Sequence, residues 1–311
     1  MTHRGHRKLK TWTILCGLAA ATGCGGSGPQ VGDAVVVPDP TTKLTSVAPG
    51  APSGTPAPAA GTAAAAPKAS ATPAPAAAVK GDGGWGTLKG KVVFGGTPGE
   101  VKILVEQGKA AKDTTFCAKD APIKSERLVV DAASKGVKNV IVYLPKPTAV
   151  NEEAKSSALQ KPVEFDQKGC TFTPHVICVM LGAKINLKNS DPVGHNIDSK
   201  LKNNALNSQL APAGVMPFAT AGAERTPGVV VCDIHNWMTS YWMVLDNPYF
   251  AVTNDKGEFE IKNVPSGTQK VVVWQEATGF VTASSGQDVA IKSNEVTSTD
   301  FTLDPGKVRP E

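Results

Sequence analysis

The chain has 311 residues, with 32 lysines and arginines against 27 acidic residues and a formal net charge of +5. Four of the positive charges, Arg4, Arg7, Lys8 and Lys10, crowd the first ten residues, so the remainder is near +1. That balance carries no basic footprint and excludes a nucleic-acid partner.

The basic stretch leads into an apolar run, TWTILCGLAAATG, that ends in small residues before Cys24. A membrane-spanning helix needs about 20 apolar residues, so this run reads as a cleavable export signal over 1–23. Ala21-Thr22-Gly23-Cys24 resembles a bacterial lipobox. The resemblance implies cleavage before Cys24, lipidation of its thiol and anchoring in the cell envelope facing the periplasm. Gly25 is not the aspartate associated with inner-membrane retention, which favours the outer membrane.

Residues 24–84 are rich in Ala, Pro, Gly, Ser and Thr and carry no apolar side chains at strand or helix period. Such a segment cannot bury enough surface to offset its ordering entropy and reads as a semi-extended tether. From Trp85 onward, short runs rich in Val, Ile and aromatics alternate with Gly, Pro, Asn and Asp, which predicts an all-β protein. Expected strands include 88–95, 127–132, 137–145, 176–181, 184–189, 228–233, 241–246, 250–255, 258–264 and 269–276. Three blocks follow: an N-terminal β segment over 85–159, a central block over 160–246 and a final β segment over 247–311.

The final block carries D-x-G-x-F-x-I from Asp255, N-V-P-x-G from Asn263 and V-x-V-W ending at Trp274. This pattern resembles transthyretin-like or carboxypeptidase regulatory-like sandwiches, which implies a structural or adhesive module. The strands of 85–159 could complete that sandwich, with the central block inserted, or belong to the central block itself.

Chemistry concentrates in VCDIHNWM, residues 231–238, which sets a thiol, an imidazole and a thioether at C-x2-H-x2-M spacing. Copper that cycles between two oxidation states is served by soft sulfur beside borderline nitrogen, and a His2Cys set with a weak axial Met is typical of electron-transfer sites. The second histidine lies upstream in KINLKNSDPVGHNID. With FTPHVICVMLGAKINLKNSDPVGHNI, the whole resembles the cupredoxins, and within them amicyanin more than plastocyanin. The implied fold is a cupredoxin Greek-key sandwich beside a second, transthyretin-like sandwich built from the flanking strands. The implied ligands of a single type 1 copper are His195, Cys232, His235 and Met238. Asn196 would tie the two ligand loops together, Trp237 would shield the metal, and Asn236 stands where the family's loops often carry proline. Zinc is the alternative occupant of a His2Cys set.

Three further cysteines remain in the folded part. In an oxidising compartment Cys117–Cys170 is the preferred disulfide; Cys117–Cys178 is the alternative and leaves Cys170 over. Cys178, within VICVML, reads as a buried small residue, and His175 as a packing or surface residue rather than an additional ligand. No haem-attachment motif, nucleophile elbow, phosphate loop or zinc-protease helix is present, so catalysis is not expected. The expected role is electron transfer with redox proteins such as cytochromes or a periplasmic dehydrogenase. A copper-buffering lipoprotein and a cell-surface structural or carbohydrate-binding module are the rivals.

Overall fold

The computed structural model is described over residues 80–311. The export signal, Cys24 and nearly all of the tether lie outside the described residues. No helix among the described residues is long and apolar enough to cross a membrane.

The described chain is all-β apart from an eight-residue helix, Glu152–Leu159, and a single 3-10 turn. Two pairs of sheets account for nearly all of its strands. In the first pair, a five-stranded sheet runs Leu206–Leu210, His195–Ser199, Gly228–Val231, Thr239–Leu245 and Val176–Met180 in spatial order. It faces a four-stranded sheet of Val215–Ala219, Lys184–Asn189, Val163–Gln167 and Phe172–Thr173. Phe165, Ile185 and Leu187 from one sheet meet Ile197, Val230 and Trp242 from the other in one core.

In the second pair, Trp85–Phe94 pairs antiparallel with Glu258–Pro265 and parallel with Val296–Ser298 and Phe301–Leu303. Opposite lies a sheet in which Ile141–Tyr143 sits between Phe250–Val252 and Gly267–Gln275. Strands from both ends of the described chain therefore share sheets, and the 163–245 block enters between them in sequence. Leu88, Val92, Ile261, Val271 and Val289 are among the residues of this second core.

A third apolar layer joins the two sandwiches, and strand periodicity explains it. Along Gly267–Gln275, Val271 and Val273 enter the second core, while Val272 and Trp274 face the other way into the joining layer. Ile141 and Tyr143 flank Val142 in the same manner. From the first sandwich, Trp242 and Val244 point into their own core, and Met243 and Leu245 into the layer. Val176 and Cys178 join them there, whereas Ile177 and Val179 face inward. Strands buried on both faces have no solvent side to be polar on, so they read as unbroken apolar runs: VICVM, YWMVL and VVVW. Each large side chain so buried contributes roughly 1.5–3 kcal/mol, which makes the layer a core in its own right.

The expected strand over 127–132 does not form. Val130 makes one isolated bridge with Val137, and the chain turns at once. Asp131 accepts hydrogen bonds from the amide and hydroxyl of Ser134, both at 2.7 Å, which fixes a turn where a ladder would have continued. The expected strand over 137–145 likewise shortens to Ile141–Tyr143.

Trp242 is fully buried, with its ring edge-on to Phe165 at 4.8 Å. Replacing it with Ala is expected to cost about 3–5 kcal/mol in urea unfolding, and replacement with Phe distinctly less. Equal unfolding midpoints for the two variants would contradict this packing.

Candidate metal centre

The site forms where the strand His195–Ser199 begins and the strand Gly228–Val231 ends, since these two lie side by side. His195 opens its strand. Cys232 follows directly on the other, and the chain then turns through His235 to Met238. The turn closes on itself: the Met238 amide donates to the His235 carbonyl at 2.9 Å, and the Cys232 amide to the Met238 carbonyl at 3.2 Å. A short, locally bonded loop of this kind is what C-x2-H-x2-M spacing permits.

His195, Cys232 and His235 each offer one ligand atom within 4.8 Å of the others, and all three are buried. The Nδ1 atoms of the two histidines lie 2.9 Å apart, and Cys232 Sγ lies 3.8 Å from His235 Nδ1. Three such ligands at about 2.0–2.3 Å from one ion in a plane stand roughly 3.6–3.8 Å from each other. The sulfur–nitrogen separation already meets that spacing. The two nitrogens are closer, at the distance of a hydrogen bond between rings, and must part by a fraction of an ångström to admit an ion. The donor set fits a metal that accepts thiolate and imidazole together. Met238, 1% exposed, lies at the end of the same loop within the first core.

Behind each histidine stands a carboxylate. His195 Nε2 is 2.9 Å from Asp191 Oδ2, and His235 Nε2 is 2.7 Å from Asp113 Oδ2. A carboxylate beside Nε2 keeps the proton there and directs the Nδ1 lone pair the opposite way, toward the metal position. The protonation pattern follows. Burial acts to lower the pKa of His195, but contacts with Asp191 and Cys232 outweigh it and raise it to about 9. Burial lowers His235, and with the neighbouring His195 charge it outweighs the opposing pull of Asp113. Cys232 is pushed up by burial, yet hydrogen bonds from His195 and the Asn196 amide bring it below its ordinary value. The shifts favour the proton on His195 over His235 and lower the cost of ionising Cys232.

Asn196 joins the two ligand segments. Its Oδ1 accepts from the Asp233 amide at 2.6 Å, its Nδ2 donates to Asp233 Oδ2 at 2.9 Å, and its amide donates to Cys232 Sγ at 3.5 Å. The Trp237 ring lies 5.1 Å from that of His235, and its Nε1 donates to the Cys170 carbonyl at 3.0 Å. Cys117 and Cys170 form a disulfide, and Cys178 is a buried free thiol. His175 is buried as well, 2.6 Å from Glu276 Oε2, and takes no part in the centre.

Sequence reasoning missed Asp113, Asp191 and Asp233. Asp191 lies four residues before His195, inside the very segment that pointed to the histidine, and the signal was there to be used. Asp113 lies 122 residues from His235.

No family model matches the chain, and a search of curated proteins found no match. Similar solved structures include a copper-containing nitrite reductase from Thermus scotoductus, 18% identical over 27% of this chain and 22% of that one, with a TM-score of 0.25. They also include a purple cupredoxin from Nitrosopumilus maritimus, 18% identical over 26% of this chain and 98% of that one, with a TM-score of 0.23. A mutant amicyanin in its Cu(I) form is 14% identical over 33% of this chain and 97% of that one, with a TM-score of 0.25. This chain thus spans about a fifth of the reductase and nearly all of the two smaller proteins.

Metal uptake near neutral pH must displace the proton that His195 holds, because its pKa stands at about 9. Below that value each pH unit is expected to cost about tenfold in affinity, and more once Cys232 is protonated as well. Competition titrations across pH measure this, and an affinity flat between pH 6 and 8 would contradict the arrangement.

Proposed function

We propose that this chain is an exported, lipid-anchored type 1 copper protein that carries single electrons between redox proteins outside the cytoplasm. The convergence of two Nδ1 atoms and one Sγ, each histidine backed by a carboxylate, is the observation that carries this reading. His195, Cys232 and His235 would hold the copper in the plane, with Met238 as the weak axial ligand. Copper would supply a one-electron couple. The chain's own part would be to keep the ligands in one geometry in both oxidation states, through the paired strands His195–Ser199 and Gly228–Val231, the closed 232–238 turn and the Asn196 bonds.

The N-terminal lipid on Cys24 would hold the protein at the envelope, facing the periplasm. The Ala/Pro-rich tether would raise the effective concentration of the folded part near its partners. Those partners would be cytochromes or a periplasmic dehydrogenase, and the protein itself is not an enzyme. The second reading is copper buffering. The full burial of both histidines favours it, since buried ligands hinder exchange with a docked partner.

A copper titration of the full chain, followed by visible absorption and electron paramagnetic resonance, tests the reading. An intense thiolate-to-copper band with narrow hyperfine splitting is expected, and both should vanish in Cys232→Ala. Failure to bind copper, or binding without the thiolate band, overturns it. Bound copper that exchanges no electron with a cytochrome selects buffering.

A further inference from the structure

The two carboxylates behind the histidines come from distant parts of the chain, yet both are fixed by the same covalent feature. From the segment 106–119, Asp113 reaches His235, its Oδ2 2.7 Å from Nε2. Asp113 holds a left-handed backbone conformation, φ 50°, which a non-glycine residue adopts at a cost. Its carbonyl accepts from the amides of Phe116 at 2.9 Å and Cys117 at 2.8 Å. Cys117 is bonded to Cys170. On the far side of the disulfide, Gly169 and Cys170 are both left-handed, with φ of 65° and 57°. That conformation turns their successive amides toward one anion, and the anion is Asp191: Gly169 N to Oδ1 at 2.6 Å and Cys170 N to Oδ2 at 2.8 Å. Asp191 in turn meets His195.

We propose that Asp113 and Asp191 are a matched pair of positioning residues, one behind each histidine, and that the Cys117–Cys170 disulfide is the brace that holds both and keeps the 106–119 segment closed over His235. The inference rests on the metal-site reading above. Its physical content is that His235 is 0% exposed because a cap covers it, not because its own strand buries it. The closed turn at 232–238 lies at the rim of the sandwich. Without the cap, the Nε2 edge of His235 would face water, and the proton that fixes its tautomer would lose its carboxylate acceptor. Each carboxylate acts on the metal only through its histidine.

The metal-free full chain tests the cap directly, by diethylpyrocarbonate labelling of histidines read peptide by peptide. His175, buried against Glu276 and remote from Asp113 in the bonding pattern, is the internal control for general loosening. His235 is expected to be protected in the wild type, to label several-fold faster in Asp113→Ala, and to regain protection in Asp113→Asn, whose side-chain oxygen still accepts from Nε2. The double variant Cys117→Ser, Cys170→Ser should expose it as well. If that variant does not fold, graded reduction of the wild type with dithiothreitol replaces it, and labelling of His235 should appear in step with the two new thiols. Copper-loaded Asp113→Ala should bind about 10- to 100-fold more weakly and show altered hyperfine splitting, with Asp113→Asn close to the wild type. Unchanged His235 labelling in Asp113→Ala, labelling of His175 to the same extent, or no difference between the Ala and Asn variants overturns the cap. Labelling that stays at the wild-type level after the disulfide is cleaved overturns the brace. Protection that behaves as expected in a chain that binds no copper sinks the metal reading alone.

Discussion

The arrangement on which the rest of the centre depends is the orientation of two imidazole rings. A histidine offers two nitrogens, and a buried ring is of use to a metal only if the wrong one is occupied. Here Asp191 and Asp113 accept from the Nε2 atoms of His195 and His235, which leaves both Nδ1 atoms turned inward beside Cys232 Sγ. The same carboxylates offset the cost of burying the rings, because a buried donor without an acceptor is penalised by its full desolvation. The two inward nitrogens lie 2.9 Å apart, at hydrogen-bond distance. A metal ion held between them would need the two rings to part by a fraction of an ångström and would need no refolding of the loop.

Rigidity for such a centre has to come from the scaffold, and the layered packing supplies it. Cys232 and His195 lie at the ends of strands in a five-stranded sheet, two of whose strands, Thr239–Leu245 and Val176–Met180, are buried on their outer face against the second sandwich. The strand Thr239–Leu245, which continues from the ligand loop, packs Trp242 and Val244 on one side and Met243 and Leu245 on the other. A strand held from both faces cannot shift along its register without moving every side chain to the wrong core. The second sandwich thus contributes to the metal centre with no residue in it. It makes Thr239–Leu245, the strand paired with the one that leads to Cys232, an internal strand.

What was legible in the sequence divides along the range of the interactions. Cys232 and His235 were readable because their spacing fits one short turn, and His195 because the segment that carries it matches a recognisable strand entry. The doubly buried strands were readable as strands but not as an interface, since VVVW and YWMVL look the same whether they face one partner or two. The run at 127–132 has strand composition and fails to form one because the Asp131–Ser134 turn ends it, a local polar contact that outweighs β propensity. Asp113 was beyond reach. Nothing in KDTTFCAK marks that residue as the acceptor for a histidine 122 positions away.

The disulfide supplies the last connection, and it bears on how these functional groups stay where they are. By the chain-entropy model a bridge across 53 residues stabilises a fold by about 4 kcal/mol through its effect on the unfolded chain. That explanation concerns the unfolded state and would be served by many positions. The location of this bridge is more restrictive than stability requires. One cysteine lies four residues after the carboxylate on His235, and the other donates its amide to the carboxylate on His195 while its carbonyl accepts from Trp237 Nε1. A bridge selected for loop closure alone has no reason to sit between the two outer contacts of a single site. Its position follows if the contacts themselves are what it holds, because Asp113 has a strained backbone and a partly exposed side chain and, unbraced, would leave His235 for water.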